Sequence, residues 1–154
     1  MASWEEFAAA RPDMAAIGRR LLEQHHLAYL ATVRADGGPR LHPVSPFILD
    51  GRLFVATPPA SPKAADQLRD PRYMLHMLPG ENDDECMLRG RAGAVTDGAG
   101  RALILEHGPH FVKPDDRYFE YDIERAMTAY WENVGKPGTF PVRQFWRADA
   151  AASD

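Results

Sequence analysis

The segment Arg40-Leu-His-Pro-Val44, followed by Ala56-Thr57 and Ser61-Pro-Lys63, decides the fold of this chain of 154 residues. Within Leu27–Leu78 the sequence predicts two or three strands joined by tight turns, followed by the loop Pro58–Lys63, which opens a short helix. The loop brings a hydroxyl, an ammonium and unpaired backbone N–H groups to one point. That combination suits a phosphate. We interpret the rest of the chain as the structure that completes a pocket around it.

Strands dominate the prediction around this segment. Leu27–Val33 is rich in strand-forming residues and has little polarity, so we expect both of its faces to be covered. Pro39–Leu49 contains Pro43 and Pro46, which cannot donate to a ladder, so this strand is bulged or has one unpaired side. The other expected strands are Arg52–Thr57, Tyr73–Leu78, Glu85–Thr96 (bulged near Gly90 and Gly93), Tyr118–Ile123, Ala126–Trp131 and Val142–Trp146.

Few helices are predicted. Ser3-Trp-Glu-Glu6 resembles a capping box that opens a first helix, and a second helix runs from about Pro12 to His25. Ser61 is a good N-cap for a helix that ends near Arg69, and a further short helix is expected from Gly98 to about His107. Six to eight hairpin-linked strands with few helices predict a mainly β fold, a small antiparallel barrel. We expect one domain over residues 1–154, with helices at about 3–26 and the barrel at about 27–147.

Composition excludes several classes of protein. The formal net charge is −4 and no basic run gathers the 18 Lys and Arg residues, which argues against nucleic-acid binding. No apolar run approaches the roughly 20 residues that span a bilayer, and the N-terminus lacks a signal-peptide pattern. A single cysteine, Cys86, excludes an intramolecular disulfide framework and fits a reducing compartment. We therefore expect a cytoplasmic protein that binds neither nucleic acid nor membrane.

The candidate phosphate site draws on residues from neighbouring segments. Ser61 and Lys63 add a hydroxyl and a full positive charge to a helix N-terminus. Thr57 ends the preceding strand, and Arg40 lies on the neighbouring one. Taken alone, Ser61-Pro-Lys63 is more simply a capped helix with a solvated lysine, so the prediction depends on the whole set of residues.

That set resembles the pyridoxamine 5′-phosphate oxidase-like, FMN-binding split-barrel family. The resemblance covers roughly Leu27 to Val95, with a weaker echo in Phe145-Trp-Arg147. It is carried by the order and spacing of six segments: Ala31-Thr-Val-Arg-Ala-Asp-Gly-Gly-Pro-Arg40, His42-Pro-Val44, Asp50-Gly-Arg-Leu-Phe-Val55, Ser61-Pro-Lys63, Asp66-Gln-Leu-Arg-Asp-Pro71 and Gly90-Arg-Ala92. The resemblance implies a split β-barrel that forms a homodimer with two flavin sites at the subunit interface.

The resemblance also implies roles for individual residues. Arg40 and Lys63 would neutralise the FMN phosphate, with Ser61 and Thr57 donating hydrogen bonds to it. The segment His42, Pro43 and Val44 would present backbone groups to the isoalloxazine edge. Three further residues are assigned to the flavin: Glu85 near the ring, and Trp146 and Arg147 from the other subunit. No catalytic acid or base is predicted.

The end of the chain departs from the true vitamin B6 enzymes of this fold. Those enzymes carry a C-terminal Arg-x-His that grips the substrate, whereas this chain reads Val142-Arg-Gln-Phe-Trp-Arg-Ala148. The resemblance thus implies an FMN-dependent oxidoreductase that transfers hydride to or from a small organic substrate other than vitamin B6 phosphate. Two alternatives stay open: a reductase that uses the deazaflavin F420, and a non-catalytic flavin- or haem-binding protein related to stress.

A metal site and a cysteine nucleophile are both disfavoured. His107-Gly-Pro-His110 has a proline between the histidines, which spoils helical ligand spacing, and no Cys or Asp clusters beside it. Nothing in the sequence places a base next to Cys86.

Overall fold

The computed structural model describes residues 1–148. It contains four helices, which are α1 (Trp4–Ala10), α2 (Pro12–His25), α3 (Pro62–Arg69) and α4 (Gly98–His107). The eight strands are β1 (Ala28–Val33), β2 (Pro39–Val44), β3 (Phe47–Leu49), β4 (Arg52–Thr57), β5 (Arg72–Met77), β6 (Glu85–Ala94), β7 (Arg117–Glu132) and β8 (Phe140–Arg147). The fold is therefore mainly β, as the sequence predicts.

All eight strands belong to one antiparallel sheet. Its order is β2-β1-β5-β6-β7-β4-β3, and β8 adds to the side of β7. The strands β2 and β3 are separated by only two residues, Ser45 and Pro46, yet they stand at opposite ends of this order. The sheet must therefore curl until its two edges meet at that short link.

The prolines act as predicted. The segment 39–49 is divided at Ser45-Pro46 into two strands, and each of them pairs on one side only. A proline is tolerated at such an edge because no ladder partner needs its missing N–H group. An irregularity is present near Gly90, as a register shift between Arg89 and Gly90, but the extra residue, Glu124, lies in the facing strand β7 and not in β6 as predicted.

Gly90 is required at this bulge. A Cβ atom added there would lie 2.0 Å from the carbonyl oxygen of Asp122 on β7, far inside any van der Waals contact. The close approach of β6 and β7 therefore depends on the absence of a side chain. The two segments predicted as separate strands, Tyr118–Ile123 and Ala126–Trp131, form the single long strand β7.

The N-terminal helices cover one side of the sheet. Both bonds of the capping box between Ser3 and Glu6 are present, at 3.1 Å and 2.7 Å. Trp4 and Phe7 of α1 are buried in the main core together with Met14 of α2. These helices are thus structural elements that seal the barrel. None of the helices in residues 1–148 has the length and apolar character needed to cross a membrane.

The prediction that both faces of the first strand are covered is wrong for this chain. In β1, Leu30 is fully buried, but Tyr29 on the opposite face is 44% exposed. The open face continues onto the neighbouring strands, where Leu41 and Met74 are also exposed. An apolar composition here reflects one buried face and one exposed apolar face, which composition alone does not distinguish.

Candidate functional site

Asp66 of α3 is the centre of a hydrogen-bond network next to the predicted phosphate site. This buried carboxylate accepts hydrogen bonds from Thr32 on β1 at 2.9 Å, from Arg40 on β2 at 2.6 Å and from Arg69 at 2.9 Å. Arg69 also donates to the backbone carbonyl of Val33 at 2.8 Å. One acid therefore fixes two guanidinium groups at the junction of α3 with the edge of the sheet.

The protonation state of Asp66 follows from these contacts. Burial by itself would raise the pKa of this carboxyl. The hydrogen bonds from Arg40, Arg69 and Thr32, together with the charge of Arg40, outweigh burial and hold the pKa of Asp66 below its usual value. Asp66 is consequently ionised at neutral pH.

Ser61 and Lys63 meet at the start of α3. Ser61 stands at the N-cap position, but its hydroxyl makes no capping bond, and it accepts a hydrogen bond from the Lys63 ammonium at 3.0 Å. Burial lowers the pKa of Lys63. In residues 1–148, no carboxylate lies within 4.0 Å of this ammonium. Ser61 therefore occupies the predicted N-cap position, but its hydroxyl pairs with the lysine and not with a backbone N–H group of the helix.

Two predicted ligands of the cofactor carry buried polar atoms without hydrogen-bond partners. They are Oγ1 of Thr57, a fully buried residue at the end of β4, and Nε2 of the half-buried His42 on β2. Such atoms are uncommon in folded proteins because each costs about 1–3 kcal/mol when it is left without a partner. Trp4 Nε1 and His25 Nε2, which lie outside the predicted site, are in the same state among residues 1–148. The two predicted ligands are nevertheless free to form a hydrogen bond with a bound molecule.

The register of the β1–β2 ladder places the His42 side chain on the same face of the sheet as the Arg40 side chain, which contacts α3. In the β1–β2 ladder, Arg40 is opposite Thr32 and His42 is opposite Leu30, so both side chains point to the same face. Pro43 and Val44 complete the predicted segment, and β2 pairs with β1 on one side only. The backbone of this strand thus keeps one edge without a ladder partner.

The remaining predicted ligands lie elsewhere in the chain. Trp146 and Arg147 are on β8, where they line a separate cavity of about 370 Å³ on the open face of the sheet. Trp146 also packs on Phe7 of its own chain, with ring centroids 5.0 Å apart. Glu85 begins β6, opposite Ala129 of β7. The structure of one chain therefore connects Arg40, Ser61 and Lys63 to α3 but does not bring Glu85, Trp146 and Arg147 to it.

Sequence reasoning missed Asp66 as a member of the site. An aspartate inside a short helix resembles an ordinary solvated residue, and only the fold shows that it meets β1 and β2. The available signal was its spacing from Lys63 and Arg69, one helical turn in each direction, which places all three on one stretch of helix surface. Gln67, the next residue of α3, accepts a hydrogen bond at Oε1 from the hydroxyl of the buried Tyr121 and donates one from Nε2 to the Lys63 carbonyl at 3.1 Å.

Other candidate chemistries have no site in the part of the chain that the structure describes. No group of three or more His, Cys, Asp or Glu side chains within residues 1–148 has the geometry to hold a metal ion. Cys86 is fully buried, and burial raises the pKa of its thiol to about 12. A thiol with that pKa is protonated at neutral pH and is a poor nucleophile.

Comparison with known proteins agrees with the sequence resemblance. The family profile described as "Pyridoxamine 5′-phosphate oxidase" matches residues 17–130. No curated protein sequence matches the chain.

Solved structures with the same fold were also found. One is a protein related to general stress protein 26 of Bacillus subtilis, from Clostridium acetobutylicum (TM-score 0.64, 13% identity), which covers 89% of this chain and 97% of that one. Another is the general stress protein 26 of Bacillus anthracis (0.63, 18%), with coverages of 86% and 97%. A heme binding protein of Mycobacterium smegmatis (0.59, 18%) covers 86% of this chain, which spans 58% of that protein. At these identities the likeness concerns the fold.

Proposed function

The chain belongs to the pyridoxamine 5′-phosphate oxidase family, and from this premise we propose that it is an FMN-dependent oxidoreductase. We further propose a single domain that acts as a homodimer. The observation that carries the proposal is the unmatched polar chemistry around α3. Within residues 1–148, the Lys63 ammonium is paired with a hydroxyl and with no carboxylate, and Thr57 and His42 hold buried polar atoms without a hydrogen-bond partner.

The charges at α3 fit a phosphate monoester. Arg40, Arg69 and Lys63 contribute three positive charges, and Asp66 subtracts one, which leaves a net charge of about +2. A phosphate monoester carries about −1.5 to −2 at neutral pH. Asp66 uses one edge of the Arg40 guanidinium, through Nε, and leaves its terminal nitrogens for the ligand. We call Arg40, Lys63, Asp66 and Arg69 the cradle. Its net positive charge matches a phosphate, and Asp66 holds the two arginines in place.

The hydroxyls extend this match. Ser61 Oγ accepts from Lys63 and retains its own proton for donation to a phosphate oxygen. Thr57 Oγ1, at the end of the preceding strand β4, is proposed as a second donor, because it is buried without a hydrogen-bond partner in residues 1–148. Arg40 and Lys63 contribute two cations, and Ser61 and Thr57 contribute two hydroxyls. Together they are proposed to form the set of hydrogen-bond donors that a phosphate prefers.

The edge strand β2 is proposed to orient the ring system. Its segment His42–Val44 is paired on one side, so backbone groups on the other side remain available for hydrogen bonds with a flat heterocycle. FMN, when bound, supplies hydride transfer, and the chain supplies binding, orientation and electrostatics. Glu85, Trp146 and Arg147 are proposed to complete the site in the dimer. The substrate is proposed to be a small organic molecule other than vitamin B6 phosphate, because the C-terminal segment lacks an Arg-x-His motif.

Haem binding is the second candidate. It is supported by the unpartnered Nε2 of His42 and by the fold shared with the heme binding protein of Mycobacterium smegmatis. The same purified protein separates the candidates by its absorption spectrum, since a flavin, the deazaflavin F420 and a haem absorb at different wavelengths. A Soret band with no affinity for FMN would replace the flavin proposal with the haem one.

Titration with FMN tests the placement of the phosphate. Lys63→Ala and Arg40→Ala should each weaken FMN binding by about 1.5–3 kcal/mol, the usual worth of a charge-assisted hydrogen bond. Lys113→Ala, which removes an exposed lysine outside the cradle, is the matched control and should leave the affinity unchanged. Equal FMN affinity in the wild type and in both cradle variants would refute the site.

A further inference from the structure

Three arginines form a row across the open face of the sheet. Arg89 of β6 is directly opposite Arg125 of β7, and Arg125 is directly opposite Arg147 of β8. Residues paired in this way lie on one face, with Cα atoms about 4.5–5.5 Å apart. All three side chains are exposed and line the same cavity of about 370 Å³. The fold therefore concentrates three positive charges in one short line.

This arginine row has no internal counter-charge. Seven other arginines of the described chain form ion pairs with aspartate or glutamate. Within residues 1–148, no carboxylate lies within 4.0 Å of Arg89, Arg125 or Arg147. The chain as a whole is acidic, with a net charge of −4, so acids are plentiful elsewhere. Like charges placed directly opposite one another repel, and the fold accepts this repulsion at one place.

One acid close to the row is Glu124, which precedes Arg125 in the chain. It is the extra residue at the bulge between β6 and β7, and it lines a neighbouring cavity of about 470 Å³ that Arg89 also lines. Glu124 makes no ion pair with the row. The positive potential of the row is consequently left largely uncompensated on the face that is open to solvent.

An apolar floor adjoins the row. Met87 and Met127 are opposite each other on β6 and β7, one pleat along from Arg89 and Arg125, and Phe145 is opposite Met127 on β8. Met74 of β5 lines the same cavity. Methionine and aromatic side chains adapt well to flat organic surfaces. The cavity therefore has a cationic side and an apolar side.

We propose that this cavity binds an organic anion, whose apolar body lies on the methionine floor while its carboxylate, phosphate or sulfonate group is held by Arg89, Arg125 and Arg147. Neighbouring guanidinium groups can each donate two hydrogen bonds to one anionic group. The proposal does not rest on phosphate binding at α3, because none of the residues around Asp66 lines this cavity. Trp146 and Arg147 do line it and are also proposed for the flavin site of the dimer, so the test uses Arg125, which has no proposed role toward the flavin.

A matched pair of fluorescent probes tests the proposal on the full-length chain. Anilinonaphthalene sulfonate has an aromatic body with one anionic group, and phenylnaphthylamine has the same body without the charge. The sulfonate should bind more tightly than the neutral probe, and Arg125→Gln should weaken its binding about tenfold while it leaves the neutral probe unchanged. Arg143→Gln is the control, because Arg143 is an exposed residue of the same strand, β8, that does not line the cavity.

Each alternative result overturns the proposal. Equal affinity for the two probes, or equal effects of Arg125→Gln and Arg143→Gln, would show that the row does not select anions. Arg125→Gln could instead change the dissociation constant of the dimer while the affinity for the sulfonate stays the same. That result would assign the row to a contact between two copies of the chain. Because Arg125 is exposed, the variant should fold, and an unchanged or higher thermal unfolding midpoint would confirm this.

Discussion

The cradle at α3 and the arginine row on the open face are two cationic regions built in opposite ways. In the cradle, the buried Asp66 binds both arginines and fixes their positions before any ligand arrives. In the row, three arginines stand side by side, and no carboxylate of residues 1–148 lies within 4.0 Å of them. The first region is ordered by its own counter-charge, and the second depends on a counter-charge from outside.

This difference predicts opposite effects of losing charge on the free energy of unfolding. Removing the acid from the cradle should destabilise the protein, because two guanidinium groups lose their shared partner. Removing a cation from the row should stabilise it slightly, because repulsion is relieved. Stability measurements therefore distinguish an internal ion network from a site that is prepared for a ligand.

The largest expected effect comes from the bulge that sets the row's register. Gly90→Ala would place a Cβ atom 2.0 Å from the Asp122 carbonyl oxygen, which forces β6 and β7 apart. We expect a loss of about 3 kcal/mol in the free energy of unfolding, measured with urea. Gly93→Ala on the same strand is the matched control, since its added Cβ meets no atom within 4 Å. Equal stability of the two variants would contradict the described register.

The next effect concerns the cradle. Asp66→Ala should lower the free energy of unfolding by about 2–3 kcal/mol, less than for a fully buried pair because both arginines are partly exposed. Urea unfolding of the variant beside the wild type gives the value. A neutral result would mean that the network around Asp66 contributes nothing to the order of the site.

Acid titration sharpens the same comparison. Because the pKa of Asp66 is lower in the folded chain than in the unfolded chain, its contribution is present above the unfolded value of about 3.9 and is lost as the pH falls through the folded value. Asp66→Asn should therefore lose less stability than the wild type between pH 6 and pH 3. Asp13 and Asp70, whose pKa values are also lowered, are present in both proteins and cancel in the difference. Parallel pH profiles would rule out this role.

The smallest effect has the opposite sign. Arg125→Gln should raise the free energy of unfolding by about 0.2–0.5 kcal/mol at low ionic strength, because one of three adjacent charges is removed. The gain should shrink when salt is added, since exposed charges are screened over about 10 Å at 0.1 M. Urea unfolding at two salt concentrations measures both points. A variant that is less stable than the wild type would indicate that Arg125 has a partner within the chain.

Local chemistry made much of the fold predictable. Pro43 and Pro46 indicated an edge, and the structure places β2 and β3 at the two edges of the sheet. The glycine at position 90 indicated a bulge, and the register shifts there. Each of these signals acts within one segment, so the sequence carries it directly.

The missed features depend on how segments meet. Asp66 became part of the site only because α3 packs against β1 and β2, and its position in the helix gave no sign of those neighbours. The row formed by Arg89, Arg125 and Arg147 spans three strands, and its alignment depends on the bulge that inserts one residue into β7. A register across strands that lie far apart in sequence is set by tertiary packing, which single segments do not reveal.

The link Ser45-Pro46 also has a consequence for motion. The two edges of the sheet, β2 and β3, approach each other at this link but share no ladder. Neighbouring strands of a sheet can separate only when the backbone hydrogen bonds between them break. The gap between β2 and β3, which we call the seam, can widen without breaking any ladder hydrogen bond. We therefore expect the amide groups that face the seam to exchange with solvent earlier than those of the central strands β5 and β6. The barrel should therefore open first along the line where its two edge strands share no backbone hydrogen bonds.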